Sequence, residues 1–216
     1  MLLTLPAIFH SNLTDMNNFV DQLLQQLGGS TAEQLSTQLK ATPTQTQQGL
    51  EQFLPIMVEA MSRNAQSESG ATSLFNAAKK DHDGGLLDNL GSILGNSNLA
   101  SDGGGILGHV LGSKNNKVAE FISKSTGMSV SQAATMMQLA APLVMSMLSR
   151  QQQQNNMNPS DMSEMLRRST REVKQTDPKN MGMIERMLDR DGDGSVMDEV
   201  GEMGASILKN WMSGRR

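Results

Sequence analysis

The sequence predicts an all-α fold: two tandem copies of a multi-helix unit packed as one compact helical protein. Three observations carry this. Apolar residues recur at the spacing of amphipathic helices along nearly the whole chain. The runs are punctuated by residues that start and stop helices. The 216-residue chain also repeats itself.

With a shift of 87, residues 19–63 run without a gap onto residues 106–150. Ala32 and Glu33 fall on Ala119 and Glu120, Ser36 on Ser123, Gln45 on Gln132, Pro55 on Pro142, and Ser62 and Arg63 on Ser149 and Arg150. Apolar positions agree too: Leu23 and Leu24 fall on Val110 and Leu111, Leu35 on Ile122, and Ile56 and Met57 on Leu143 and Val144. After a longer linker in the second copy the register returns with a shift of 110, which sets Asp81, His82, Asp83 and Gly84 on Asp191, Gly192, Asp193 and Gly194. The expected organisation is a leader or misassigned start at 1–15, a first helical repeat at 16–98, and a second at 103–212. The second carries an inserted helix at 151–176 and an Asp-rich loop at 189–199.

In the first copy, Phe19, Val20, Leu23, Leu24 and Leu27 share one helical face, stopped by Gly28 and Gly29. Ser30, Thr31, Ala32 and Glu33 read as a capping box for a short helix carrying Leu35 and Leu39. Thr42, Pro43, Thr44 and Gln45 cap the longer helix that follows. That helix contains Pro55, and its counterpart at about 129–150 contains Pro142. Each proline lacks the N–H that would bond the carbonyl four residues back, so both helices are expected to kink at the same point.

The glycine-flanked segments at 84–95 and 103–112 read as short helices whose small residues allow close approach. They do not fit a phosphate cradle, which needs a preceding strand and a Lys-Ser/Thr ending. The second copy holds an insert of about 23 residues, the difference of the two shifts, opening with Gln151, Gln152, Gln153 and Gln154. This polar run reads as a frayed helix end or flexible linker. Asn158 and Pro159 start a helix with Met162, Met165, Leu166 and Val173 inward and Arg167, Arg168, Arg171 and Lys174 outward. Those bases read as a solvated face balanced by Glu164 and Glu172, with an acidic partner as the alternative. Asp177 and Pro178 start the helix leading into the Asp-rich loop, and Val196, Met197, Val200, Met203, Ile207, Leu208 and Trp211 form the apolar face of the helix leaving it. Methionine, concentrated in the second half, reads as core filling, with a partner groove as the alternative.

Composition excludes several functions. Cysteine is absent, which removes disulfides, thiolate metal sites and a cysteine nucleophile and suits a reducing compartment. A formal charge of -4 argues against a dedicated nucleic-acid binder, and aromatic residues at 3% are too few for base stacking. No segment supplies the roughly 20 consecutive apolar residues of a transmembrane helix. The apolar start lacks a basic n-region and is interrupted by Pro6, so it makes a poor export signal. The expected location is cytoplasmic, with export through a weak N-terminal signal as the alternative.

One stretch has a spacing that demands a particular chemistry. Asp189, Asp191 and Asp193 place carboxylates at alternate positions, and Gly194 supplies the residue free to turn sharply. The Ser195 carbonyl adds an oxygen and Asp198 is the expected closing ligand, so these five residues form a candidate calcium site. The helix-loop-helix calcium pattern closes with a bidentate Glu at its twelfth position, whereas this loop has Val200 there. Closure at Asp198 is similar to the shorter loops of small extracellular modules of the excalibur type. The competing reading is an Asp/Gly-rich turn that caps the next helix. In the first copy Lys79 stands where Asp189 stands in the second, so the first loop has lost a ligand and gained a positive charge.

The chain resembles the bacterial domain of unknown function 937 and the related YidB-like proteins. The resemblance lies in the glutamine-rich opening helix before Gly28 and Gly29, the turn from Lys80 to Gly84, the glycine-rich run at 104–112, and Ala141, Pro142, Leu143, Val144 and Met145. It implies an all-helical fold and brings no activity with it. His109 falls within the resemblance, yet its duplicate is Gln22, so a packing or capping role is expected. His10, His82 and His109 lie in unrelated contexts, and no carboxylate pair or Ser/His/Asp order stands out. The expected function is that of a non-enzymatic helical scaffold or interaction protein with an unidentified protein partner, stabilised by calcium. The alternative is a hydrolase or other enzyme with a carboxylate-lined cleft between the two repeats.

Overall fold

A computed structural model describes residues 18–81, Leu86 and residues 97–189. Among them the chain forms nine helices and no strand: α1 (Phe19–Leu27), α2 (Ser30–Leu39), α3 (Pro43–Asn64), α4 (Glu68–Asp81), α5 (Ser97–Val110), α6 (Asn115–Thr126), α7 (Val130–Gln154), α8 (Pro159–Thr176) and α9 (Pro178–Leu188). A 3-10 turn, Gly112–Lys114, joins α5 to α6.

Helix starts follow local chemistry. Thr42 accepts from the amide of Gln45 while Gln45 Oε1 accepts from the amide of Thr42, both at 3.1 Å. Ser129 and Gln132 make the same reciprocal box at 3.1 and 2.9 Å. Asn158 caps α8 and Asp177 caps α9, each followed by a proline whose missing N–H costs nothing in a first turn. The start of α2 corrects the expected capping box: Ser30 lies inside the helix, and Gly29, at φ +53°, is the capping residue with no side-chain bond.

The long helices α3 and α7 lie at the centre. Residues 53–62 and 139–149 are buried without interruption, so these two helices face protein on all sides. Both continue through their prolines, Pro55 and Pro142. Around them the other helices pack reciprocally. The second helix, α2, contacts α3 and α7, and α6 contacts α7 and α3; α4 rests on α7, and α9 rests on α3. Helix ends recur in the same way. Lys40 (φ 52°, ψ 39°) and Gly127 (φ 71°, ψ 11°) end α2 and α6 in the left-handed conformation. Gln132 Nε2 donates to the carbonyls of Leu39 and Lys40 at 3.1 and 2.8 Å. The Gln45 amide lies beside Gly127, 3.6 Å from where a Cβ there would stand. Where α3 meets α7, Gly49 faces Met136: a Cβ on Gly49 would stand 2.6 Å from the methionine sulfur.

Methionine in the described residues mostly fills the core, with Met57, Met61, Met128, Met136, Met137, Met145, Met162 and Met181 all buried. The glutamine run after Arg150 belongs to the fold and is no linker. Gln151 to Gln154 form the last turn of α7, Gln152 is buried, and its Nε2 donates to the Phe75 carbonyl at 3.2 Å. Of the glycines in α5, Gly103 touches α7, whereas Gly105 and Gly108 face open space. Close approach is therefore a property of one glycine there.

Helix α8 packs on α1, α3, α4 and α9. The Val20 amide donates to Ser169 Oγ at 3.2 Å, and Ser163 Oγ donates to the Ala65 carbonyl at 2.8 Å. These bonds tie α8 to the start of α1 and the end of α3, and a groove lies between α8, α3 and α9.

Candidate functional site

That groove has a volume of about 260 Å³ and is lined by residues of three helices. From α3 come Glu59 and Ser62, with Gln66 just after its end; from α8, Arg167, Thr170, Arg171 and Lys174; from α9, Met181 and Glu185. The α8 residues lie on one stripe because positions three and four apart share a helix face. Ser62, Thr170 and Met181 are buried at the floor, while Arg167, Arg171 and Lys174 stand at the exposed wall.

Both carboxylates that line the groove are paired. Arg63 Nε donates to Glu59 Oε1 at 2.8 Å, and the two side chains retain only 13% and 11% exposure, so this ion pair is largely withdrawn from solvent. Arg63 Nη2 also donates to the Glu185 carbonyl at 3.3 Å, which fixes the start of the last turn of α9 against α3. Lys174 Nζ lies 2.6 Å from Glu185 Oε1. Outside the groove Glu164 accepts from Arg167 and Arg171, and Glu172 accepts from Arg168 at 2.9 Å. The site thus holds charges in fixed pairs, with guanidinium N–H groups in excess of the carboxylates that receive them.

The sequence-predicted residues fall elsewhere. Asp189 follows the last turn of α9; its amide donates to the Glu185 carbonyl at 2.9 Å, and its own carbonyl accepts from Lys114 Nζ at 2.7 Å. Asp191, Asp193, Ser195 and Asp198 lie outside the described residues, as do the leader at 1–15 and the helix expected after the loop. No cluster of three or more His, Asp or Glu suited to a metal occurs among the described residues. The side chain of His109 is exposed, and its carbonyl accepts from Asn64 Nδ2 at 3.3 Å at the end of α5. The groove was not foreseen. Its one signal was the stripe of bases on α8, but Glu59 and Ser62 stand across from it at a sequence separation that no local pattern spans.

Fold and groove define a protein that is all-helical among its described residues, with a charge-lined groove between α3, α8 and α9, and no described helix is long and apolar enough to cross a membrane. The chain belongs to the family of bacterial proteins of unknown function DUF937, whose profile matches residues 21–151. The match spans α1 to all but the last turn of α7 (with α8 and α9 beyond it), so the groove joins one helix of the family region to two outside it. No curated protein and no solved structure matches the chain.

Proposed function

We propose that this protein is a non-enzymatic helical scaffold that binds a partner, stabilised by calcium at its Asp-rich loop. The observation that supports a binding role over an enzymatic one is the pairing of the groove carboxylates. Glu59 is held by Arg63 and Glu185 by Lys174, an arrangement for recognition, whereas a general base needs a carboxylate open to the proton it removes. A hydrolase with a carboxylate-lined cleft is therefore the weaker reading.

The framework of the scaffold is two copies of one multi-helix unit that exchange their last helices. In support, the left-handed caps at Lys40 and Gly127, the boxes closed by Gln45 and Gln132, and the facing pair Gly49 and Met136 are each separated by 87 positions. A residue that meets its own duplicate marks the axis relating two copies. In this reading the YidB-like proteins are related to the duplicated unit.

The calcium reading rests on Asp189, Asp191, Asp193, the Ser195 carbonyl and Asp198. The entry of the loop is anchored: Asp189 is fixed by Glu185 on one side and Lys114 on the other, which lowers the ordering cost of closing on a cation. The Lys114 ammonium also opposes a cation nearby, in keeping with weak affinity. Calorimetric titration to roughly millimolar calcium, the range of extracellular modules, tests this. Binding heat and a raised Tm are expected, abolished by Asp189→Ala and Asp193→Ala and retained in Lys79→Ala. Neither heat nor a Tm change in the unmutated protein would reduce the loop to a turn and helix cap.

A further inference from the structure

The groove between α3, α8 and α9 carries more positive than negative charge. Its lining sets Arg167, Arg171 and Lys174 against Glu59 and Glu185, with Arg63 and Glu164 paired to lining residues from outside it. This excess sits on a chain whose formal charge is -4, so it is a local feature of the groove. Arg167 and Arg171 each donate one Nη2 hydrogen bond to the same Glu164, whereas a guanidinium has five N–H donors in a planar fork. The remaining donors stand on the wall of a groove whose floor offers the Ser62 and Thr170 hydroxyls and the buried, apolar Met181.

We propose that this groove is a binding site for a small phosphorylated molecule, its phosphoryl oxygens held by Arg167, Arg171 and Lys174 and its organic remainder lying toward Thr170 and Met181. A phosphoryl group presents three terminal oxygens, which suits two guanidinium forks and one ammonium converging from a single helix face. The volume of about 260 Å³ is slightly below the ~300 Å³ at which drug-sized pockets begin, so the ligand is a compact one. A long polyanion does not fit, because Asp161, Glu164 and Glu172 interleave the bases along α8 and would repel it. The inference rests on the reading of the groove as a binding surface and is independent of calcium.

The test uses the full chain, titrated with glycerol 3-phosphate, inorganic phosphate and citrate at ionic strength held constant with sodium chloride, and read by calorimetry and phosphorus NMR. Saturable binding of glycerol 3-phosphate is expected. It should weaken about tenfold or more in the Arg167→Gln/Arg171→Gln double variant, which loses two charge-assisted contacts at exposed positions where folding is not at stake. Arg168→Gln, on the same helix but paired with Glu172 and outside the groove lining, should bind as the unmutated chain does. No saturable binding of glycerol 3-phosphate, binding of inorganic phosphate without the ester, or undiminished affinity in the double variant each overturns the proposal. Citrate binding in preference to the ester also overturns it while leaving the groove a binding surface. Cleavage of the ester in the NMR arm would keep phosphoryl recognition and sink the non-enzymatic reading instead.

Discussion

Gly103 of α5 lies against the carbonyl of Gln138 of α7, so close that a Cβ on the glycine would stand 1.7 Å from the carbonyl oxygen. That oxygen is the one Pro142 leaves without its helical donor, since the acceptor of residue 142 in a helix is residue 138. The proline and the glycine are thus two parts of one contact: the first frees a carbonyl, and the second lets a neighbouring backbone approach it.

Gly103→Ala is expected to lower stability by about 1–3 kcal/mol, the cost of forcing extra volume into a packed contact. Gly105→Ala and Gly108→Ala, on the same helix but facing open space, should each raise it by roughly 0.4–1 kcal/mol through a stiffer unfolded chain. Urea denaturation of the three variants checks this. Three changes of the same sign would mean that glycine in α5 acts through helix propensity alone.

At the crossing of α3 and α7, Gly49→Met should clash with Met136 and destabilise severely. Adding Met136→Gly returns the displaced volume to the same gap from the opposite helix. If the two helices are interchangeable copies, the exchange variant should recover to within about 1.5 kcal/mol of the unmutated chain, as volume-conserving swaps do. A double variant no better than Gly49→Met alone would count against the duplication.

Ser146 is fully buried in α7, and its hydroxyl has no hydrogen-bond partner among the described residues. Desolvating a hydroxyl without a partner is unfavourable, so Ser146→Ala should be neutral or stabilising by up to roughly 2 kcal/mol. A loss of stability in thermal or urea melts would show that the hydroxyl contributes to packing.

Arg63→Ala strands the Glu59 carboxylate at the groove floor, and a loss of about 3 kcal/mol is expected, the lower end for breaking a buried pair because some exposure remains. Glu59→Gln/Arg63→Gln together should lose markedly less than Arg63→Ala, since no charge is left unpaired. Equal losses in a double-mutant cycle would place the effect in packing of the arginine stem.

Much of this architecture was legible in the sequence because helix termini are local events. Thr42 with Gln45, Ser129 with Gln132, Asn158 with Pro159 and Asp177 with Pro178 each begin a helix where cap chemistry placed it. Ser30 misled because a residue pattern for a box says nothing of whether Gly29 has already turned the chain. Gln152 misled because its polarity suggested solvent, while its amide serves the carbonyl of Phe75 on another helix. The groove was illegible for the same reason: periodicity tells which side of α8 is polar and is silent on which helix stands opposite. Of the candidate metal ligands, Asp189 alone lies within the described residues, so the loop stands as the sequence presents it.

Because α4 reaches forward to α7 and α9 reaches back to α3, packing is completed by helices far apart in the chain. The first central helix, α3, contacts α6, α7, α8 and α9, and each of these contacts forms only once the later helix has been made. Such late, distant contacts slow folding relative to a bundle assembled from sequence neighbours. They also make the early helices depend on the late ones: a chain cut short after α4 lacks the later helices that pack on α3.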